Sequence, residues 1–436
     1  MTHIDRAPMQ NDGKLVRAVG FRGLILMCVN AVVGSGVFLL PSETFRLLGP
    51  FSLWAPLLFA IPVFILVLCF AEASSRFSEP GGAYLYTRTA FGEFVGFETG
   101  WMNTLARLTS LAALANGFVL SLARLYPEAG SGAPRVALIV GSLGLFAVIH
   151  SLGIRYGAGT IYFFTFGKVI PLVVFIAAAL FVFRSNPIPG SLALPAGDVA
   201  WSEAALFLLF AYAGYENLPV PAGEFKNPKR DLPLALLAGI AIIAAIYSLT
   251  QFAAMSALPD LSGTRTPIAD AAAAILGSRG AVFITIGAII SILGTNLGTV
   301  LEGSRMVYAL ALNGRRGRSI AWVHPRFRTP VVAIALLTGA AMVAAIAGTF
   351  AKLAVLSAVA RLTTYLFTAA SIPRLRKLSS GFVSPGGLLV PILGMAIGLA
   401  FFAKLSSRHL IAAAVALAVG AVLYFLSRTG EREAPS

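Results

Sequence analysis

Lys168, Glu216, Arg107 and Arg361 are ionisable side chains placed inside long apolar runs. A charge at mid-bilayer costs about 2.5–3.5 kcal/mol on insertion scales, so each needs partners or a task. Lys168 lies about nine residues into its run, roughly 13 Å at 1.5 Å per residue, too deep for its stem to reach an interface easily. Two segments also look unfit for a continuous helix. Cys28-Val-Asn-Ala-Val-Val-Gly-Ser-Gly-Val-Phe-Leu-Leu-Pro41 sets Gly34, Ser35 and Gly36 near mid-membrane with a proline beyond. Phe207-Leu-Leu-Phe-Ala-Tyr-Ala-Gly-Tyr-Glu-Asn-Leu-Pro-Val-Pro221 carries Gly214, Glu216 and two prolines. Glycine frees the backbone, and an interrupted helix bares N–H groups at the start of its second half, where a carboxylate is stabilised. The alternative for the first segment is a small-residue face for close helix packing.

Hydrolytic or metal chemistry finds little support. The four histidines, His3, His150, His324 and His409, form no His-Glu-x-x-His pattern, and none sits mid-span beside a nucleophile. Neither an enzyme nor a cofactor or metal site is expected. Cys28 and Cys69 fall in apolar runs and read as packing residues.

The elements that would position these groups are transmembrane helices. Of 436 residues, 58% are hydrophobic and 12% charged, which leaves too few charges for an aqueous surface and makes the bilayer the solvent. Runs near 20 apolar residues fall at 22–46, 52–75, 94–125, 134–151, 159–183, 201–223, 232–256, 280–312, 330–349, 352–372, 386–404 and 408–427. Their lack of alternation excludes a barrel, so the expected fold is an all-α membrane protein. The net charge of +15 does not indicate nucleic acid, because the basic residues lie between hydrophobic runs. No cleavable leader is expected, since residues 1–20 are polar. With an even number of spans, 20 Lys and Arg fall on the side of the termini and 9 on the other, which predicts cytoplasmic termini in the cytoplasmic membrane.

Interrupted runs at the first and sixth positions suggest two five-span halves with a site between them. The expected division is a tail at 1–21, a first repeat at 22–183, a second at 201–372, two further spans at 386–427 and a tail at 428–436.

Four motifs then resemble those of the amino acid–polyamine–organocation (APC) transporters. They are Val33-Gly-Ser-Gly-Val-Phe38, Glu79-Pro-Gly-Gly-Ala-Tyr84, Gly96-Phe-Glu-Thr-Gly-Trp101, and Phe210 to Glu216 continuing through Glu224-Phe-Lys-Asn-Pro-Lys-Arg-Asp-Leu-Pro233. The resemblance implies a leucine-transporter-type 5+5 inverted repeat with broken helices 1 and 6, two peripheral helices, and alternating access. It implies a substrate carboxylate at the N–H groups near Ser35 and Gly36, beside Gly34. The ammonium would meet carbonyls near Val32 and between Phe210, Ala211 and Ala213, with Tyr215 close by. Phe210 takes the family's common gating position. Lys168 is similar to a lysine that in some proton-linked members replaces sodium, with Ser291 and the carbonyl region near Asn30 as partners. Protonated, it would lock the half-helices; neutral, it would release them. The alternative is a permanently charged structural pin.

Glu216 is a candidate coupling acid or a brace, with Arg361 the first partner to test. Arg107 is open between an ion pair and contact with a substrate side chain. Glu302 and Arg305 are expected to pair at i, i+3. Glu224 and the Asn227-Pro228 turn are expected to end span 6. The expected function is secondary transport of an amino acid or related amine, with a neutral amino acid the leading candidate and a cationic one or a polyamine next. Proton-linked transport and obligatory exchange both stay open, as does an oligomer, and a non-transporting sensor is the more distant alternative.

Overall fold

In the computed structural model, residues 19–77, 81–153, 158–182, 198–219, 225–312 and 319–428 are described. Both expected tails, Glu79 and Pro80 of the second motif, Arg155, Pro221 and Glu224 fall wholly or largely outside them.

The first apolar run is two helices, α1 (Phe21–Val32) and α2 (Gly36–Leu48), bent by 48° across Val33-Gly34-Ser35. The sixth ends early: α8 (Asp198–Tyr212) stops two residues before Gly214, whose φ of 132° no other residue type takes readily, and a single 3-10 turn, Tyr215–Asn217, follows. The remaining runs are α3 (Ala55–Ser74), α5 (Glu93–Ala123), α6 (Gly132–Ser151), α7 (Ala158–Val182), α9 (Pro228–Ala257), α10 (Pro267–Leu312), α11 (Val331–Ala347), α12 (Phe350–Leu378), α13 (Leu389–Ala403) and α14 (Ser407–Arg428). Among the described residues, eight helices are long and apolar enough to cross a bilayer, the bent α1–α2 pair makes a ninth, and three shorter apolar helices join them. The chain is an all-α integral membrane protein.

Hydropathy missed what does not span. The segment between the second and third runs holds α4 (Gly82–Phe91), a short helix whose Arg88 pairs with Glu93 at 2.6 Å. A short helical segment from Pro267 precedes the eighth run and is set off from it by Gly277 at φ 70°. Asn227 and Pro228 do not end the sixth run. They begin α9, with Asn227 before the first helical turn and Pro228 at its first position, where a missing N–H costs nothing.

α5 is the central post, packed along α10 and α12, with α1 and α3 against α9. α13 and α14 stand outside: α13 lies on α12, and α14 is tied to α5 by the Trp101 indole donating to the Ala416 carbonyl at 2.8 Å. Phe181, Val343 and Ile411 are each more than 60% exposed, as residues facing lipid are. Both cysteines are buried and unbridged.

Candidate functional site

The two helix breaks meet. Gly36 starts α2 so close to α8 that a Cβ there would fall 2.8 Å from Ala211 Cα, and a Cβ on Gly214 would collide with the Ala31 carbonyl oxygen. Only glycine allows either approach. Tyr247, on α9, holds the two carbonyl ends together, its hydroxyl lying 3.2 Å from the Val32 oxygen and 2.9 Å from that of Ala211. Sequence inspection passed over Tyr247, since a tyrosine in an apolar run looks like packing.

Between the breaks lies a small, partly open cavity. Val32, Gly34, Ser35 and Gly36 line it from the first break, and Phe210, Ala211 and Ala213 from the second. Ser35 is fully buried and its hydroxyl has no hydrogen-bond partner. It precedes the first turn of α2, where the N–H groups of Phe38 and Leu39 donate back to the Ser35 carbonyl at 3.1 and 3.0 Å, while those of Gly36 and Val37 come too early in the helix to meet a carbonyl of their own helix. The final carbonyls of α1 and α8 supply the opposite polarity. Phe210 stacks edge to face on Phe350 with ring centres 6.0 Å apart.

Tyr215 is the expected lining residue that the structure directs elsewhere. Beyond Gly214 the chain turns, and the Tyr215 ring packs against Phe70 at 5.6 Å and Tyr365 at 5.7 Å, away from the cavity.

Lys168 is fully buried behind the first break, not on the cavity surface. Its ammonium donates to the Val33 carbonyl at 2.7 Å, the Asn30 carbonyl at 3.0 Å and the Thr295 hydroxyl at 3.1 Å. Three donors thus find three acceptors, the number an ammonium needs away from water. Ser291 reaches the same turn, 3.1 Å from the Val33 oxygen and 3.2 Å from that of Gly34, but does not bond Lys168 itself. Thr295, one helical turn beyond Ser291, takes that contact and also lines the cavity.

Glu216 is equally buried and bonded on both oxygens. Oε1 accepts from Arg361 Nε at 2.8 Å, with Arg107 Nη2 3.5 Å away; Oε2 accepts from the Gly214 N–H at 2.7 Å and the Tyr365 hydroxyl at 3.3 Å. Arg361 spends its other nitrogens on Ser357 and, at 3.0 Å, on Ser110. Glu302 pairs across helices with Arg107 at 3.1 Å, not with Arg305. The reason is burial: Arg107 lies inside between α5 and α10, whereas Arg305 faces outward. Among the described residues, no three His, Cys, Asp or Glu side chains stand together to hold a metal.

The family model described as "Amino acid permease" matches residues 19–425. The serine/threonine exchanger SteT of Bacillus subtilis (strain 168) is 30% identical over 88% of this chain and 90% of its own length. The branched-chain amino acid permease BcaP of the same organism is 25% identical over 96% and 95%, and its methylthioribose transporter 27% over 94% and 93%. Matched along nearly its whole length and built around two opened helices, the chain belongs to the amino acid permease family of APC transporters.

Proposed function

We propose that this permease carries a zwitterionic amino acid, or a related amine, across the cytoplasmic membrane by alternating access, proton-linked and independent of sodium. The observation that carries the reading is the pairing of two opened helices around one cavity, with a buried ammonium closing the first of them. A substrate carboxylate fits the bare N–H end of α2 and the free Ser35 hydroxyl; an ammonium fits the carbonyl ends near Val32, Ala211 and Ala213.

Lys168 stands in for a coupling cation. Protonated, it ties the Asn30 and Val33 carbonyls to Thr295 on α10 and holds the break closed. Losing a proton removes one donor and the charge, which loosens α1 from α10 and lets the two five-span halves, 22–183 and 201–372, rock about the site. Phe210, against Phe350, would act as the outer gate. Glu216 would link the second break to α12 through Arg361. The excess of basic residues beside the termini supports placing both in the cytoplasm.

Obligatory exchange is the second reading, favoured by similarity to a relative named as an exchanger. Purified protein in liposomes separates them. Counterflow of labelled alanine supports transport, and net uptake driven by an imposed pH gradient, unchanged when potassium replaces sodium, supports proton linkage. Counterflow without net uptake supports exchange. Saturable binding with no flux would overturn both.

A further inference from the structure

Among the described residues, Arg107 is the buried cation lining the cavity whose donors are not used up. Its side chain is 5% exposed, and Nη1 is taken by Glu302, yet neither Nε nor Nη2 has a hydrogen-bond partner. Nη2 lies 3.5 Å from Glu216, whose Oε1 is already bonded to Arg361. Leaving two guanidinium donors buried and unmet is costly, so the cavity is shaped for an occupant that accepts from them.

The surrounding charges say what kind of acceptor. Arg107 and Arg361 face Glu216 and Glu302, two cations against two anions. A carboxylate brought to Arg107 would stand beside two carboxylates already there, with no cation left over, and like charges in so dry a place repel strongly. A neutral oxygen meets no such penalty. Thr299, also on the cavity wall, donates its proton to the Thr295 carbonyl at 2.8 Å, which leaves its own oxygen as an acceptor. Both side chains line the same cavity, and a hydroxyl is the group that can accept from the one and donate to the other. A carboxylate has no proton for Thr299, and an alkyl group serves neither.

We infer that the cavity selects an amino acid with a short hydroxyl-bearing side chain, and that Arg107 is the specificity-determining residue. This rests on the transport reading above for the placement of the substrate's backbone. Threonine and valine are nearly the same shape and differ in the hydroxyl, so they isolate the effect. A site built to bond a hydroxyl discriminates against the analogue lacking it far more than a hydrophobic pocket can discriminate by size.

The experiment is competition against labelled alanine counterflow by threonine, valine and aspartate, run beside thermal-shift titrations of the purified protein with the same three. Threonine should compete at a concentration about tenfold or more below valine, and aspartate should compete poorly. In Arg107→Lys, which keeps the charge and loses the fork, the threonine-to-valine ratio should fall toward one. Alanine counterflow with valine matching threonine, or with aspartate the best competitor, overturns the inference and leaves transport standing. Absent counterflow with selective stabilisation by threonine overturns transport and supports the inference. A ratio unchanged in Arg107→Lys overturns the role of Arg107.

Discussion

The Lys168 ammonium stands 2.7 Å from the carbonyl oxygen of Val33, the residue at which α1 ends, so a side chain from the fifth span completes the broken end of the first. A helix opened in a membrane leaves carbonyls that lipid cannot solvate. Here a buried cation meets them, and the break becomes a stable feature whose stability depends on one proton-bearing group.

Lys168→Ala should therefore lower alanine counterflow by roughly ten- to a hundredfold, the scale of losing hydrogen bonds to a charged group. What flux remains should no longer respond to an imposed pH gradient. Uptake in proteoliposomes with the gradient set and then collapsed by an uncoupler measures this, and full retention of the gradient response would reduce Lys168 to a structural pin.

Gly36→Ala tests the contact between the two breaks. The added methyl would sit 2.8 Å from Ala211 Cα, a backbone neighbour that cannot swing aside. Overpacking of this sort costs about 1–3 kcal/mol. Membrane abundance should be largely kept while flux falls by about tenfold or more; equal flux per molecule would mean that the helices do not need to stay this close.

Removing one partner of the Glu216–Arg361 pair should do more harm than removing both. Arg361→Met leaves a carboxylate with no exposure beside only the more distant Arg107, a loss of about 3–5 kcal/mol. The melting temperature in detergent should drop sharply for the single variant and recover in part for Glu216→Gln with Arg361→Met. Strict additivity of the two losses would show that the pair does not act as a unit.

Much of this arrangement was legible in the sequence because the bilayer makes deviations conspicuous. Glycines at Gly34 and Gly36, and Gly214 followed by prolines, marked both breaks, and the depth of Lys168 marked it as a group in need of acceptors. What was hidden depends on which way a helix face turns. Glu302 has Arg305 within one turn, but Arg107 on another helix is the nearer partner in space. Thr295 repeats Ser291 one turn later on the same face, a signal that i, i+4 spacing carried and that went unread. Tyr215 belongs to the break by position, yet the positive φ of Gly214 aims it at Phe70. α4 escaped because a search for spans does not see a short helix that lies outside them.

Phe210→Ala should loosen the closure over the cavity without altering what the cavity prefers. Loss of the edge-to-face contact with Phe350 removes about 0.5–1.5 kcal/mol beyond the buried area. The expected result is a severalfold rise in the apparent Km for alanine with the ranking of competing amino acids unchanged; a changed ranking would make Phe210 part of the recognition surface instead.

Opened backbone at both ends of the cavity is taken to grip both ends of a free amino acid, and end-blocked analogues test that grip directly. Labelled alanine counterflow should be competed by unlabelled alanine and not by N-acetylalanine or alaninamide at a hundredfold higher concentration, each of which removes one of the two charges. Competition by either blocked compound at the concentration that alanine requires would show that the main-chain dipoles at Ser35–Gly36 and at Val32 and Ala211 do not hold the substrate.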